Sequence, residues 1–211
     1  MSHSAIYRYV DAHPSLREYL RRRGTPYKNT AGLRYNNTNR HKHSIHDRPA
    51  AVDALARSGD LEGDTIFGQD TKDRLLTHVD RKTGLVAIGL VMRYDSRKIH
   101  QQTIRDTTRV FGANIHTITY DNGSEFSAWQ QTEKALNAHI YFADPYRSSQ
   151  RGRSENVNGL VRDFVPKRTD FKKLHARDIL TIESLLNNRP RKRFNGLTPI
   201  EVSTGVLHLE C

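Results

Sequence analysis

Three short apolar runs follow one another between residues 60 and 93, and their close spacing restricts the fold more than any other feature. "DLEGDTIFG", "RLLTHVDR" and "GLVAIGLVMR" each have the length of a strand, and only short turns at Gln69-Asp70 and Thr83-Gly84 join them. Strands connected so tightly form an antiparallel meander. The period then changes. "DSRKIHQQTIRDTTRVFG" predicts a helix with Asp95 or Ser96 as its N-cap and Gly112 at its end. "IHTITYD" predicts a strand, "SEFSAWQQTEKALN" a helix with Phe126, Trp129 and Leu136 as its apolar stripe, and "HIYFAD" a last strand. The order βββαβαβ with helices after it predicts an α/β fold built on a mixed five-stranded sheet. Residues 174–188, "LHARDILTIESLLNN", predict a further periodic helix that ends at "RPRKR".

The part before residue 60 is different. "SHSAIYRYVD" predicts a short helix with Ser2 or Ser4 as N-cap and Ile6 and Val10 on one face, and Pro14 suits the first turn of a second. Residues 21–48 hold eight Lys or Arg and one Asp with almost no apolar periodicity, which describes a basic linker that orders on a polyanion. His41, His43 and His46 lie in it without a cysteine or carboxylate at ligand spacing, so a solvated basic tract accounts for them better than a metal site. "DRPAAVDALARSG" predicts a helix from Pro49 to Arg57 closed by Gly59. Across the 211 residues Lys and Arg outnumber Asp and Glu by 34 to 23, a net charge of +11 and a pI near 9.9. Such an excess attracts polyanions and is a usual footprint of nucleic-acid binding, the alternative being a basic protein with no such partner. Cys211 is the single cysteine, which leaves no disulfide framework and no cysteine zinc site and suits a reducing cytosol. No apolar run approaches the ~18 residues of a membrane span, and the N-terminus lacks a secretory apolar stretch.

Three acids stand out by position. Asp64 lies inside the first strand of the meander, Asp121 directly follows "IHTITY", and Glu155 is the one acid of "RGRSENVNGL". If the first and fourth strands are neighbours, Asp64 and Asp121 sit side by side, and two close carboxylates repel. A divalent cation removes that conflict: magnesium takes hard oxygen ligands, and two ions ~4 Å apart activate a nucleophile and steady a leaving oxygen in phosphoryl transfer. A third acid on a helix would complete the cage. The structural alternatives are ordinary: a turn or N-cap role for Asp64, an Asx turn for Asp121 before Asn122-Gly123, and a surface pair with Arg151 or Arg153 for Glu155. Asp80, Asp144 and Glu125 fit turns or helix starts and match the pattern less well.

At these residues the chain resembles the DDE transposases of bacterial insertion sequences, in particular the insertion-sequence-thirty family. The likeness runs from "SHSAIYRYV" through "RPAAVDALARSGDLEGDTI", "VDRKTGL", "TYDNGSEF" and "YFADPYRSSQRGRSENVNGLVRDFVPKRTDF" to "LNNRPRKRFNGLTPIEV", with 33 residues between the second and third acid. It implies a ribonuclease-H-like integrase core in which Asp64, Asp121 and Glu155 hold two magnesium ions, with manganese as a substitute. Arg162, two helical turns beyond Glu155, would meet a DNA phosphate, as would Arg151, Arg153, Asn156, Asn158 and Lys167. The implied activity is DNA strand cleavage and strand transfer on insertion-sequence ends and target DNA, by a homo-oligomer in the bacterial cytoplasm at the nucleoid. Residues 1–22 correspond to part of a helix-turn-helix, 23–59 to the basic linker and short helix, and 60–211 to the catalytic domain; an N-terminal truncation is the matching expectation. Leu61 replaces a tryptophan and Ser149 an aromatic of the family pattern. Two competing readings are an inactive DNA-binding remnant that regulates full-length partners and a structure-selective nuclease on the same fold.

Overall fold

The computed structural model describes residues 3–19, 42–145 and 147–205, which fall into two compact units, Met1–His41 and Lys42–Cys211. In the first unit, α1 (His3–Ala12) is followed by a 3-10 turn over Pro14–Tyr19. Val10 is buried while Ile6 on the expected apolar face stays 45% exposed. Most of the basic linker, His41 and Cys211 lie outside the described residues.

The second unit is built on one sheet. Its strands are β1 (His43–Ser44), β2 (Asp60–Phe67), β3 (Arg74–Asp80), β4 (Val86–Val91), β5 (Thr117–Tyr120) and β6 (His139–Phe142). They stand in the order β1-β6-β5-β2-β3-β4, so the sheet has six strands, one more than the sequence predicts. The five expected strands are all present. The sixth, β1, pairs in parallel with β6 through His43 and Tyr141, and comes from the end of the basic tract. Its anchors are non-local: the His43 ring meets Trp129 edge-on at 5.4 Å, and Ile45 is buried just after it. The meander β2-β3-β4 is antiparallel, whereas β5 runs parallel to β2 and to β6. The parallel connections are made by α3 (Ser96–Phe111) and α4 (Trp129–Leu136).

Local chemistry explains most helix boundaries. The Asp95 carboxylate accepts from the Lys98 amide at the start of α3, and Gly112 with φ of 61° ends it, both as the sequence predicts. Two elements are shorter than expected. α2 spans only Ala50–Asp53, because Leu55 turns into the left-handed region at φ of 53°. The helix foreseen over 124–137 breaks into a 3-10 turn, Ser124–Phe126, and α4, with Ala128 between them at ψ of 20°. That break seats two rings at once: Phe126 stacks on Tyr120 at 4.0 Å and Trp129 meets Phe142 edge-on at 5.8 Å.

Period-two alternation divides the strands between two cores. Leu61, Leu76, Val91, Ile118 and Ile140 pack with Ile99 and Trp129 of α3 and α4 on one face. Ile66, Leu75, Val79, Val86 and Ile88 pack on the other with α5 (Gly152–Phe164) and α6 (Ala176–Asn187), through Val157, Val161, Ile179, Ile182 and Leu186. Edge strand β4 is closed by side chains of α6. Asn187 accepts from the Val86 amide and donates to its carbonyl, and Glu183 accepts from the Ile88 amide while Arg109 of α3 grips its carboxylate. Three backbone groups of this edge strand are thereby paired rather than left as a template for another chain.

Between β2 and α3 lies a buried polar knot. His78 is fully buried, with Nε2 2.9 Å from the Tyr120 hydroxyl and Nδ1 without a partner among the described residues. Gly63 leaves the room for it, since a Cβ there would stand 2.2 Å from the Tyr120 ring. Burial pulls the His78 imidazole down to about 3 from its ordinary 6.5. Between those pH values the unfolded chain binds a proton that the fold refuses, so stability present above pH 6.5 is lost as pH falls toward 3, by about 1.4 kcal/mol per pH unit. Asp106, pushed up to about 6 by burial, acts in the opposite sense, so the comparison must be made within one variant pair. Denaturant unfolding of wild type and His78→Gln at about pH 7.5 and about pH 5 should show the wild-type advantage shrinking by about 2 kcal/mol on acidification.

Candidate active site

Even-numbered side chains of β2 face α5, which puts Glu62, Asp64 and Ile66 on one side of the sheet. β2 and β5 run parallel with Asp60 level with Thr117 and Glu62 level with Thr119, and continuing that register sets Asp64 level with Asp121. One guanidinium spans the two acids: Arg151 Nη1 lies 3.4 Å from Asp64 Oδ1, and Nη2 lies 3.4 Å from Asp121 Oδ2. The other oxygens are also engaged. Asp64 Oδ2 accepts from Asn158 Nδ2 at 2.9 Å, and Asp121 Oδ1 accepts from the Gly123 amide at 2.9 Å, the Asx turn foreseen in the sequence. Burial raises the pKa of Asp64, against the opposing pull of Arg151 and the Thr65 amide. This pair is short of positive charge.

The third acid rides on α5. Arg151 stands at its N-cap, and residues 151, 155, 158 and 162 follow one another at spacings of four, three and four, which places them on one helix face. Arg151 and Asn158 both touch Asp64, and Glu155 lies between them on that face, exposed and without a hydrogen-bond or ion-pair partner among the described residues. Asn158 is itself oriented by the Thr77 hydroxyl at 3.0 Å. Among the described residues no three His, Cys, Asp or Glu side chains form a ready-made metal cage. The arrangement is two bridged acids with a third on the adjoining helix face.

The other expected residues are placed differently. Arg162 donates to the Phe67 carbonyl at 2.8 Å, tying α5 to the end of β2, and burial lowers its pKa. Lys167 is exposed beyond the end of α5. Arg153 and Asn156 project from the flank of α5 opposite Glu155. Leu61 is fully buried in the core, and Ser149 is exposed in the 3-10 turn Ser148–Arg151.

Three residues of the site were not singled out from the sequence in these roles. Glu62 is 1% exposed, and its Oε2 accepts from the Arg153 and Ser154 amides at 3.0 Å each. These amides belong to the first turn of α5, where the helix has no internal acceptor for them and where its dipole favours negative charge. Oε1 accepts from Arg81 Nε at 3.0 Å, and Arg81 in turn donates to the Val52 carbonyl. The signal was available, since alternation puts Glu62 on the face of Asp64. Glu125, read as a helix-start acid, accepts from the Thr65 hydroxyl at 3.0 Å, next to Asp64. Lys42, of the basic tract, donates to Asn122 and lies 4.2 Å over the Phe142 ring; burial lowers its pKa against the pull of Asp121 and Glu125.

Removing the Glu62 carboxylate would leave two amides and a guanidinium without their acceptor. Glu62→Ala is expected to destabilise the protein by about 3–5 kcal/mol, and Glu62→Gln by about 1–3 kcal/mol. In Glu62→Gln, amide hydrogen exchange should accelerate at Arg153 and Ser154 while α6 keeps its protection. Unchanged exchange at those two amides would contradict the role given to Glu62.

No family model matches the chain. The sequence is 38% identical over 209 residues to the transposase for insertion sequence element IS4351 of Bacteroides fragilis, a match covering 95% of this chain and 63% of that protein. It is 30% identical over 158 residues to transposase InsI for insertion sequence element IS30A of Escherichia coli strain K12, covering 75% of this chain and 41% of that one. The chain thus spans less than two thirds of the length of these relatives. The fold is similar to that of the HTLV-2 integrase catalytic core domain in complex with magnesium, with a TM-score of 0.53 and 19% identity over 68% of this chain and 94% of that one. At that identity the likeness shows the fold alone, an integrase-core, ribonuclease-H-like α/β fold. Fold and sequence agree: the chain belongs to the insertion-sequence transposases of the IS30 type.

Proposed function

We propose that this chain carries the DNA-cutting and strand-joining centre of a transposase, acting on double-stranded DNA at insertion-sequence ends and target sites. The reading extends to a homo-oligomer on DNA at the bacterial nucleoid, as expected for the family. Among the described residues no helix is long and apolar enough to cross a membrane. The observation that carries the reading is the convergence around Asp64: Asp121 comes level with it across the sheet, and Glu155 stands on α5 between two residues that contact it.

The donor set suits a hard divalent cation. It is made of carboxylate oxygens, and the Asp64–Asp121 pair already draws a cationic group into its midst. Asp64, Asp121 and Glu155 are the residues that would hold magnesium or manganese. When bound, the ions supply Lewis-acid stabilisation of phosphoryl charge and lower the pKa of water.

The chain's own residues supply the positioning. Asn158 fixes one oxygen of Asp64 through a bond that Thr77 in turn orients. Glu62 fixes the start of the helix that bears Glu155. Arg151 spans the acid pair, and with a divalent cation held by those acids its guanidinium would be available to a DNA phosphate. Arg162 meets DNA by exchanging backbone carbonyls for a phosphate, whereas Arg153, Asn156 and Lys167 have no side-chain partner to give up among the described residues. The chemistry needs no nucleophilic side chain, because attack by water or a DNA 3′-hydroxyl depends on positioning and charge stabilisation.

The test is cleavage of duplex DNA bearing the terminal repeats of the parent element, with magnesium or manganese present. Asp64→Asn and Glu155→Gln should each lower cleavage by at least about 10³-fold, the equivalent of several kcal/mol of charge stabilisation. Binding of the same duplex should persist in both variants. Undiminished cleavage by Glu155→Gln would remove it from the site.

A further inference from the structure

On the far side of α5 from Glu155 lies a cavity of about 270 Å³ lined by Arg153, Asn156, Arg191, Lys192 and Arg193, with Val79, Val157 and Gly84 as its neutral wall. Four of these side chains are cationic, and among the described residues none of the four forms an ion pair with a carboxylate. The nearby acids are already engaged. Asp80 accepts from the amides of Gly59, Lys82 and Thr83. Glu62 holds Arg81 and the first turn of α5, and Asp163 pairs with Arg189.

Arg153 and Arg191 are half-buried, whereas Lys192 and Arg193 are exposed at the rim. Arg191 Nη2 donates to the Leu186 carbonyl at 3.0 Å, and its backbone closes the 191–197 turn through bonds with Leu197 and Gly196. The Arg193 guanidinium lies 4.2 Å over the Phe194 ring, and a Cβ at Gly84 would stand 2.3 Å from its Nη2. Burial, then the charges of Arg153 and Arg191, bring Arg193 down to about 10, so it stays cationic at neutral pH while crowded by like charge. Such crowding is relieved by an anion. With about 30 Å³ per water, the cavity has room for a hydrated phosphate group.

We propose that this cavity binds a phosphate of the DNA backbone, giving α5 a DNA-anchoring flank opposite its acid-bearing flank. The forked donors of Arg153, Arg191 and Arg193 suit phosphate oxygens, and the amide of Asn156 adds a neutral donor. The proposal rests on the reading that the chain acts on DNA and adds where a second stretch of backbone is gripped. It also gives a role to the "RPRKR" segment that follows α6.

The test measures duplex DNA binding by fluorescence anisotropy without divalent cation, over a range of salt concentrations. The proteins are wild type, Arg153→Gln, Arg193→Gln, Arg193→Lys and, as a charge-matched control, Lys134→Gln on the exposed face of α4. Arg153→Gln and Arg193→Gln should each weaken Kd by about tenfold and reduce the slope of log K against log salt by about 1. Arg193→Lys should restore the slope. If both Gln variants match Lys134→Gln, the proposal is overturned. A parallel titration with inorganic phosphate separates the two sources: phosphate binding lost in the variants while DNA binding holds would make this a free-phosphate site and equally overturn the DNA assignment. Because no cleavage is read, the result stands apart from the fate of the Asp64, Asp121 and Glu155 assignment.

Discussion

The site depends on how a buried carboxylate joins a strand to a helix. Glu62 sits two residues before Asp64 on the same face of β2, and with one oxygen it holds the Arg153 and Ser154 amides that open α5. A helix start left without acceptors in such a buried place would cost several kcal/mol. Because Glu62 meets that need, the position of α5 is set by the strand that carries Asp64. Everything on the helix follows: one flank presents Arg151, Glu155 and Asn158 to the acids, and the other presents Arg153 and Asn156 to the basic cavity. Two opposite electrostatic surfaces are thus held apart by the width of a single helix, ~10 Å with its side chains.

Charge balance explains why the resting site looks as it does. Asp64 is largely desolvated and the Asp121 charge is close to it, and both disfavour its ionisation. Arg151 offsets part of that penalty by reaching both, even though its Nε is buried without a partner among the described residues. A protein carrying +11 overall has concentrated negative charge at this one spot. That combination suits a reaction in which a polyanion must approach carboxylates: the surrounding positive field attracts it, and Arg151 screens the acids.

Much of this was legible in the sequence because it is governed by local period and capping. The meander and the helix capped by Asp95 and ended by Gly112 appear as the pattern predicts, and the condition on which Asp64 meets Asp121, that the first and fourth strands are neighbours, is met. What escaped is set by contacts between residues far apart in the chain. β1 arises from a basic tract without periodicity because the His43 ring finds Trp129. The break before α4 follows from seating Phe126 and Trp129 against rings of two different strands. Glu62 was passed over because its role is defined by amides 91 and 92 residues away. The cations after α6 read as a helix-ending run, and only the fold brings them beside Arg153.

The central claim is that Asp64, Asp121 and Glu155 form one cation-binding set, positioned by β2, β5 and the fastened α5. The most direct test is calorimetric titration of the chain with manganese, comparing wild type with Asp64→Asn, Asp121→Asn, Glu155→Gln and Arg151→Gln. Each acid variant should bind manganese at least about tenfold more weakly, on the order of one lost ligand or its support. Arg151→Gln should bind it more tightly, because the competing guanidinium is gone from between Asp64 and Asp121. Manganese binding that is indifferent to all three acids would contradict the account.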